Sequence, residues 1–246
     1  MAIQTPQSRR RRQVLSRERI VKAAVELLDA AGEGALTVRA LAERLSTGSG
    51  AIYHHVGNMG ELLQAATESV VTAALPSRPA AARPAQAPTD AMHAVALGLF
   101  DAVAEHPWLA TQLAAQITRS PWGAVTPRIF ESIGQHVRAL GVPRDDWFAT
   151  TSTLVHYILG ATAQNAQASD AACAAPAEAE RAEFLDSASR AWQDLDADDY
   201  PFLHDIADQM RGHDDREQFL TGIGLILAGI TATRPPVGPG DRPGAG

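Results

Sequence analysis

Cysteine and long apolar runs are scarce in this chain of 246 residues. Its one cysteine, Cys173, can form neither an intrachain disulfide nor a cysteine-rich zinc site. No charged and then apolar leader ends in a cleavage site, so we expect the protein in a reducing cytoplasm. Mainly apolar stretches such as residues 220–230 are too short and too rich in glycine to cross a bilayer, which predicts no membrane partner.

Aromatic residues are also few. They make up 5% of the chain, although 46% of its residues are apolar and alanine is abundant. No long segment alternates apolar with polar residues as a half-buried β-strand does. The sequence therefore predicts an all-α fold with apolar residues enough for a buried core.

The sequence motifs of common enzymes and metal sites are absent. There is no His-Glu-x-x-His, no Gly-x-Ser-x-Gly and no phosphate-binding glycine loop. The acidic run from Asp194 to Asp198, with Asp205 further on, has the spacing of a calcium loop, but Asp199 stands where that loop requires glycine. We therefore predict no catalytic residues, no cofactor and no metal site, and an all-α enzyme or ligand-binding protein remains an alternative.

Charge is divided unevenly along the chain. Residues 1–62 hold nine basic and six acidic residues, a net charge of +3, whereas residues 63–246 carry a net charge of −10. A basic segment in an acidic protein directs that segment toward a polyanion, and nucleic acid is the leading candidate. The run Arg9–Arg12 has two further interpretations, a solubility tag or an attachment to acidic lipid.

Proline and composition predict the domain boundaries. Four prolines in residues 75–88 exclude a continuous helix there and indicate a linker. The predicted domains are a disordered basic arm at 1–15, a small helical domain at 16–74, the linker at 75–88, a larger helical domain at 89–232 and a disordered tail at 233–246.

Capping residues predict where the helices begin. Ser16 and Thr37 are candidate N-caps of the first two helices, the second of which stops at Ser46, and Asn58 with Glu61 resembles a capping box that opens the fourth. A short third helix lies at about 48–55. Helices of the larger domain are expected at 89–105, 107–118, 127–140, 143–167, 178–195, 201–212 and 214–232.

Residues 36–63 have the pattern of a helix-turn-helix. Leu41, Ala42, Leu45, Ile52 and Val56 would join its two helices, and small and hydrogen-bonding residues would face outward. The outward residues are Ser49, Gly50, Ala51, Tyr53, His54 and His55. The alternative is that Tyr53 packs into the core and that the histidines are ordinary surface residues.

The segment from Leu41 to Met59 resembles the DNA-binding motif of the tetracycline-repressor (TetR) family. It reads Leu-Ala-Glu-Arg-Leu-Ser-Thr-Gly-Ser-Gly-Ala-Ile-Tyr-His-His-Val-Gly-Asn-Met. Ser46 stands where the family usually has a glycine suited to a left-handed turn, and Met59 stands where it usually has a phosphate-binding lysine. Residues 154–160 and 219–230 resemble the family's two dimerisation helices more weakly.

The resemblance implies a sequence-specific DNA-binding transcriptional regulator, a repressor that a small hydrophobic effector releases from its operator. Thr37 would contact phosphate and Arg39 a base edge, Tyr53 and His55 would contact phosphates, and Ser49, Ala51 and His54 would read bases. Gly50 lies among them in the same helix. An architectural protein that coats DNA without sequence choice remains an alternative.

Two apolar stripes are the candidate dimer interface. The resemblance implies a four-helix contact between two copies, whose twofold symmetry suits a palindromic operator in double-stranded DNA. The predicted interface residues are Trp147, Thr151, Leu154, Ile158, Phe219, Ile223, Ile226, Leu227 and Ile230. The alternative is that these stripes form ordinary core within one chain.

Polar and aromatic residues embedded in apolar helices are the candidates for effector binding, because small-molecule sites are apolar pockets with a few fixed polar groups. These candidates are Met92, His93, Phe100, Trp108, Gln112, Gln116, His136, His156 and Tyr157.

Overall fold

The computed structural model describes residues 15–75, 87–170 and 178–232. Within those ranges every regular element is an α-helix or a 3-10 helix, which confirms the predicted all-α fold. The chain divides into two compact units, Met1–Ser69 and Val70–Gly246. Most of the predicted arm and linker and the whole of the predicted tail lie outside the described residues, so the predicted domain boundaries stay predictions.

The smaller unit is built on three helices and the start of a fourth. These are α1 Arg17–Ala31, α2 Val38–Leu45, α3 Ser49–His55 and α4 Met59–Ala74, with a 3-10 turn at Glu33–Ala35. Ser16 caps α1, since its Oγ accepts the Arg19 backbone N–H at 3.3 Å, and α1 ends at Gly32, whose φ is 69°. Helix α1 packs against α2, and α2 packs against α3.

The core of the smaller unit follows the spacing of its helices. Ile20, Leu28, Leu41, Ile52 and Leu62 are fully buried. They come from all four helices, so the short helices α2 and α3 are held by packing rather than by their own helical stability.

The larger unit is a bundle arranged around α8. Its helices are α5 Pro88–Glu105, α6 Trp108–Arg119, α7 Val125–Ala139, α8 Trp147–Asp170, α9 Glu178–Gln193, α10 Pro201–Ile206 and α11 Asp215–Ala232. Helix α8 packs against α5, α6, α7 and α11. All seven predicted helices are therefore present, with ends that differ by a few residues.

Two of the predicted helices are only partly α-helical. The helix predicted from residue 143 begins with a 3-10 turn at Arg144–Asp146, and α8 proper begins at Trp147. The helix predicted at 201–212 is the short α10 followed by a 3-10 segment at Ala207–Gly212. Both 3-10 segments lie at the end of an α-helix, which is where such turns are common.

Candidate nucleic-acid interface

Helix α2 begins with the predicted cap. The Thr37 Oγ1 atom accepts the Ala40 backbone N–H at 3.1 Å. A hydroxyl has one proton and two lone pairs, so this bond leaves the Thr37 proton for donation to another acceptor. Thr37 is exposed and so is its hydrogen bond to Ala40, which leaves the hydroxyl proton open to solvent.

The turn after α2 is closed by two backbone hydrogen bonds. The Thr47 N–H donates to the Ala42 carbonyl at 3.0 Å, and the Ser46 N–H donates to the Glu43 carbonyl at 3.2 Å. This is the Schellman arrangement, which requires a left-handed residue. Ser46 takes that conformation, with φ 51° and ψ 50°. It is the residue that stands where a glycine suited to a left-handed turn was expected. The turn therefore sets how α3 follows α2.

Helix α3 has an inner and an outer face. Ile52 is fully buried and Val56, just after the helix, is buried as well. The outer residues Ser49, Gly50, Ala51, Tyr53 and His54 are exposed, and His55 is half-buried. Tyr53 is 52% exposed, so the alternative that it packs into the core is wrong.

The outer face of α3 has the size and chemistry that a DNA groove accepts. An α-helix with its side chains is about 10–12 Å across, and the major groove is about 12 Å wide. Ser49, Gly50 and Ala51 are small, so nothing at the start of the helix keeps its backbone away from base edges. Tyr53 and the two histidines supply hydrogen-bonding groups along the same helix.

Helix α2 also carries two arginines in ion pairs. Arg39 Nε donates to Glu43 Oε1 at 3.0 Å, one helical turn away on the exposed surface. Arg44 lies 2.6 Å from Glu26 Oε2 and so joins α2 to α1. Arg44 connects two helices with its side chain 43% exposed, whereas the Arg39 side chain is 90% exposed.

The capping box at the start of α4 is confirmed, with one difference. The Glu61 N–H donates to Asn58 Oδ1 at 2.9 Å, as predicted. The return bond runs to Glu61 Oε1 from the Asn58 side-chain amide, at 2.7 Å, rather than from its backbone N–H. Met59, the first residue of α4, is half-buried.

The effector candidates of the larger unit are mostly inside it. Met92, Phe100, Trp108 and Gln116 are buried. His93, Gln112, His136 and Tyr157 are half-buried. His156 differs from the other candidates, because it lies exposed on the outer side of α8, one residue from the inward-facing Tyr157. A one-residue step turns a helix by about 100°, which separates these neighbours.

Tyr157 is held by a contact between α8 and α11. Its hydroxyl donates to the Phe219 carbonyl at 3.1 Å, and its ring stacks on the Phe219 ring with centroids 5.8 Å apart. Phe219 also contacts Phe100, with ring centroids 4.7 Å apart. Gly222 faces the Tyr157 hydroxyl and leaves no room there for a Cβ atom. Burial raises the pKa of the Tyr157 phenol.

Two buried polar atoms lie on either side of the turn that joins α6 to α7. Gln116 Oε1 is near the end of α6 and Thr126 Oγ1 is in the first turn of α7, and neither has a hydrogen-bond partner among the described residues. An unpaired buried polar atom is costly, and an ordered water or the polar group of a ligand would satisfy it. Sequence reasoning missed Thr126, since its position beside Pro127 indicated only a helix start.

Most of the predicted dimer interface is core of the single chain. Thr151, Leu154, Ile158, Phe219, Ile223 and Leu227 are buried among the helices of their own chain. For these six residues the burial favours the alternative that the stripes form ordinary core within one chain. Trp147, Ile226 and Ile230 are half-buried, and the Trp147 Nε1 donates to the Val142 carbonyl at 2.8 Å.

The opposite sides of α8 and α11 carry exposed apolar residues. Phe148 is 76% exposed on α8, and Leu225 is 70% exposed on α11. A surface groove of about 320 Å³ is lined from both helices, with Ala149 and Thr153 of α8 on one side and Ile226 of α11 on the other. Ile226 belongs to the predicted stripes, so the groove keeps part of the predicted interface, and α8 and α11 both leave apolar side chains in solvent.

Membrane and metal binding find no candidate in the described residues. No helix there is long and apolar enough to cross a membrane. No group of histidine, cysteine or acidic residues there is placed to hold a metal ion. In the acidic run with calcium-loop spacing, the Asp198 N–H donates to Asp196 Oδ1 at 2.8 Å, so the Asp196 carboxylate closes a local turn.

A short exposed helix behind a capped helix and a closed turn, joined to a larger helical unit, defines a helix-turn-helix regulator. Residues 20–66 match the family model for bacterial regulatory proteins of the tetR family, and residues 83–234 match the model for the tetracyclin repressor-like C-terminal domain. The chain belongs to the tetracycline-repressor family, whose members are transcriptional regulators.

Two solved structures from Streptomyces are similar to this chain. The solved structure of SCO7222, a TetR regulator of Streptomyces coelicolor, is 61% identical, with a TM-score of 0.79 over 89% of this chain and 99% of that one. The structure of ActR from the same organism, in complex with actinorhodin, is 25% identical, with a TM-score of 0.68 over 89% of this chain and 98% of that one.

A curated relative matches over part of its length. The transcriptional repressor DrrR1 of Streptomyces coeruleorubidus is 27% identical over 162 residues, which are 63% of this chain and 55% of the relative. This chain spans between 55% and 61% of the length of the first two curated relatives that it matches.

Proposed function

We propose that this protein is a sequence-specific DNA-binding repressor that acts in the cytoplasm as a homodimer and leaves its operator when a small hydrophobic effector binds the larger unit. It acts by binding and not by catalysis. The observation that carries the proposal is α3, where small and hydrogen-bonding residues face solvent behind a fixed turn. The repressor DrrR1 supports the sign of regulation.

In the proposed complex, α3 lies in the major groove. Ser49, Ala51 and His54 read bases, whereas Tyr53 and His55 contact phosphates. At the start of α2, Thr37 donates its free hydroxyl proton to a phosphate and Arg39 reads a base edge.

Selection of bound sequences from a random duplex library tests the DNA proposal. A palindromic consensus is expected, because a twofold-symmetric dimer presents α3 twice. Equal binding to all duplexes would instead indicate an architectural protein and would refute the proposed regulator.

The arginine run at 9–12 is proposed to neutralise phosphate beside the operator. Deleting residues 1–12 should weaken binding to operator and random duplex alike, and should flatten the logarithmic salt dependence by about 0.9 for each phosphate that the run neutralises. Titration of both duplexes over a salt series measures this. Unchanged affinity and slope would show that the run does not touch DNA.

The effector is proposed to bind in the interior of the larger unit. Gln116, whose Oε1 atom is buried without a partner among the described residues, is the proposed polar anchor. The relative ActR, solved with actinorhodin, supports a small-molecule site in this fold. Effector and DNA should weaken each other's binding by the same factor, a coupling of about 1–3 kcal/mol.

A screen of apolar small molecules against the protein, with and without operator, tests the switch. Gln116→Leu should lower effector affinity and leave operator affinity unchanged, since Gln116 is outside the smaller unit. A ligand that binds equally well to the free and the DNA-bound protein would contradict the proposed switch.

The dimer is proposed to form through the outer surface of α8 and α11, defined by Phe148 and Leu225. Leu225→Glu should give folded monomers, because this exposed position tolerates a charge until a second copy covers it. Ile223→Glu is the matched control. Ile223 is fully buried, so this change should unfold the larger unit instead. Sedimentation and circular dichroism separate the outcomes, and an unchanged dimer with Leu225→Glu would refute the interface.

A further inference from the structure

Arg39 and Glu43 form an ion pair on the open surface of α2. The Arg39 Nε atom donates to Glu43 Oε1 at 3.0 Å, and the two side chains are 90% and 68% exposed. Exposed pairs one turn apart add little to the stability of a fold. The pair is therefore not needed to hold α2, whose packing depends on the buried Leu41 and whose ends are fixed by Thr37 and Ser46.

The pair determines which part of the guanidinium is presented outward. Arginine has five N–H donors in a planar fork, and the bond to Glu43 uses the one on Nε. The two terminal nitrogens remain for a bidentate contact, which matches the O6 and N7 acceptors of guanine. A long side chain fixed at Nε also gives up less conformational freedom when it makes that contact.

The Glu43 carboxylate lowers the positive electrostatic potential that α2 presents to DNA. At the distance of a backbone phosphate, the charges of Glu43 and Arg39 largely cancel, so the pair gains little from attraction to any phosphate. At a base edge the terminal nitrogens act by direct hydrogen bonds, which the cancellation leaves in place. Glu43 therefore weakens sequence-independent attraction more than base reading.

We infer that Glu43 is a positioning residue for DNA reading: it holds Arg39 by Nε so that the terminal nitrogens face a guanine, and it lowers attachment to random DNA. The inference rests on the proposed function, since it requires that Arg39 reads a base. The charge of Glu43 alone would predict only repulsion from DNA, whereas the inference gives this residue a part in specificity.

The test compares substitutions of Glu43 in the full-length protein on the selected operator, on operators changed at one symmetric base pair, and on random duplex. Glu43→Ala removes both charge and acceptor. Glu43→Gln removes the charge and keeps an oxygen that can accept the Arg39 Nε–H. Glu33→Gln is the matched control, because it makes the same change of charge in the 3-10 turn before α2.

Arg39→Ala should lower discrimination at one symmetric base pair by roughly 5- to 150-fold. Glu43→Ala should lower it at the same pair by roughly 1.5- to 5-fold, the worth of an exposed ion pair, and tighten binding to random duplex, because the anchor and the negative charge are both removed. Glu43→Gln should tighten random binding but keep most of the discrimination. In the Arg39→Ala background, Glu43→Ala should have no further effect on discrimination.

The inference is overturned if Glu43→Ala discriminates like the wild type at the base pair that Arg39 reads, or if Glu33→Gln has the same effect as Glu43→Gln. It is also overturned if Arg39→Ala relaxes no position. None of these outcomes refutes the proposed regulator, because the wild type still prefers its operator to random duplex. A wild type that binds operator and random duplex equally would instead refute the proposed function and this inference with it.

Discussion

Replacing Ser46 with glycine should stabilise the helix-turn-helix. Ser46 has φ 51° and ψ 50°, a left-handed conformation that costs an L-residue roughly 1–2 kcal/mol. Glycine removes that cost but gives up about 0.5–1 kcal/mol more conformational entropy on folding. The difference predicts a gain of about 0.5–1 kcal/mol for Ser46→Gly.

Hydrogen exchange of the amides in α2 and α3 measures this gain where it arises, because local opening is read amide by amide. Exchange through opening of this unit should slow by roughly two- to fivefold at about 25 °C. Ser46→Ala is the matched control, since alanine keeps the Cβ atom that makes the conformation costly. If the glycine variant exchanges no more slowly than the alanine variant, then the left-handed turn stores no strain and the reasoning is refuted.

Three further predictions concern other fixed points of the fold. Thr37→Ala should cost about 0.5–2 kcal/mol in urea unfolding, since it removes the bond to the Ala40 N–H, whereas Thr37→Ser should keep most of the stability. Equal losses in both would contradict the capping role. Gly222→Ala places a methyl group against the Tyr157 hydroxyl and should lower the free energy of unfolding by about 1–3 kcal/mol. The same change should cost less in a Tyr157→Ala background, and an equal cost in both backgrounds would refute the contact. Burial lowers the pKa of His136 below its ordinary 6.5. The unfolded chain therefore binds this proton at a higher pH than the folded chain does. The free energy of unfolding should fall as the pH drops through about 6.5 toward the lower pKa of the folded state. His136→Phe should flatten the fall, and an unchanged pH profile of the unfolding free energy would show that His136 does not contribute.

Helix boundaries could be predicted from the sequence because they depend on local chemistry. Ser16, Thr37 and Asn58 each accept a backbone N–H three residues on, and that bond needs nothing from the rest of the chain. The left-handed Ser46 was indicated by the resemblance to the tetracycline-repressor family, which usually has a glycine suited to such a turn at this position. The outward residues of α3 followed from helical spacing once the buried Ile52 was placed.

The inner and outer faces of α8 and α11 could not be predicted, because both helices are apolar on more than one side. On α11 the buried Ile223 and the exposed Leu225 are two residues apart and chemically alike. On α8 the buried Leu154 and the exposed Phe148 are both large and apolar. Periodicity identifies a buried face only where polar residues mark the other one.

The sequence by itself determined the helices, their caps and the pattern of the helix-turn-helix, since each depends on residues within a few positions of one another. Only the tertiary structure decided which apolar stripe lies in the core and which polar atoms are buried without a partner among the described residues. Those features depend on which side chains meet in space, and side chains far apart in the sequence are brought together only by the packing of the whole chain.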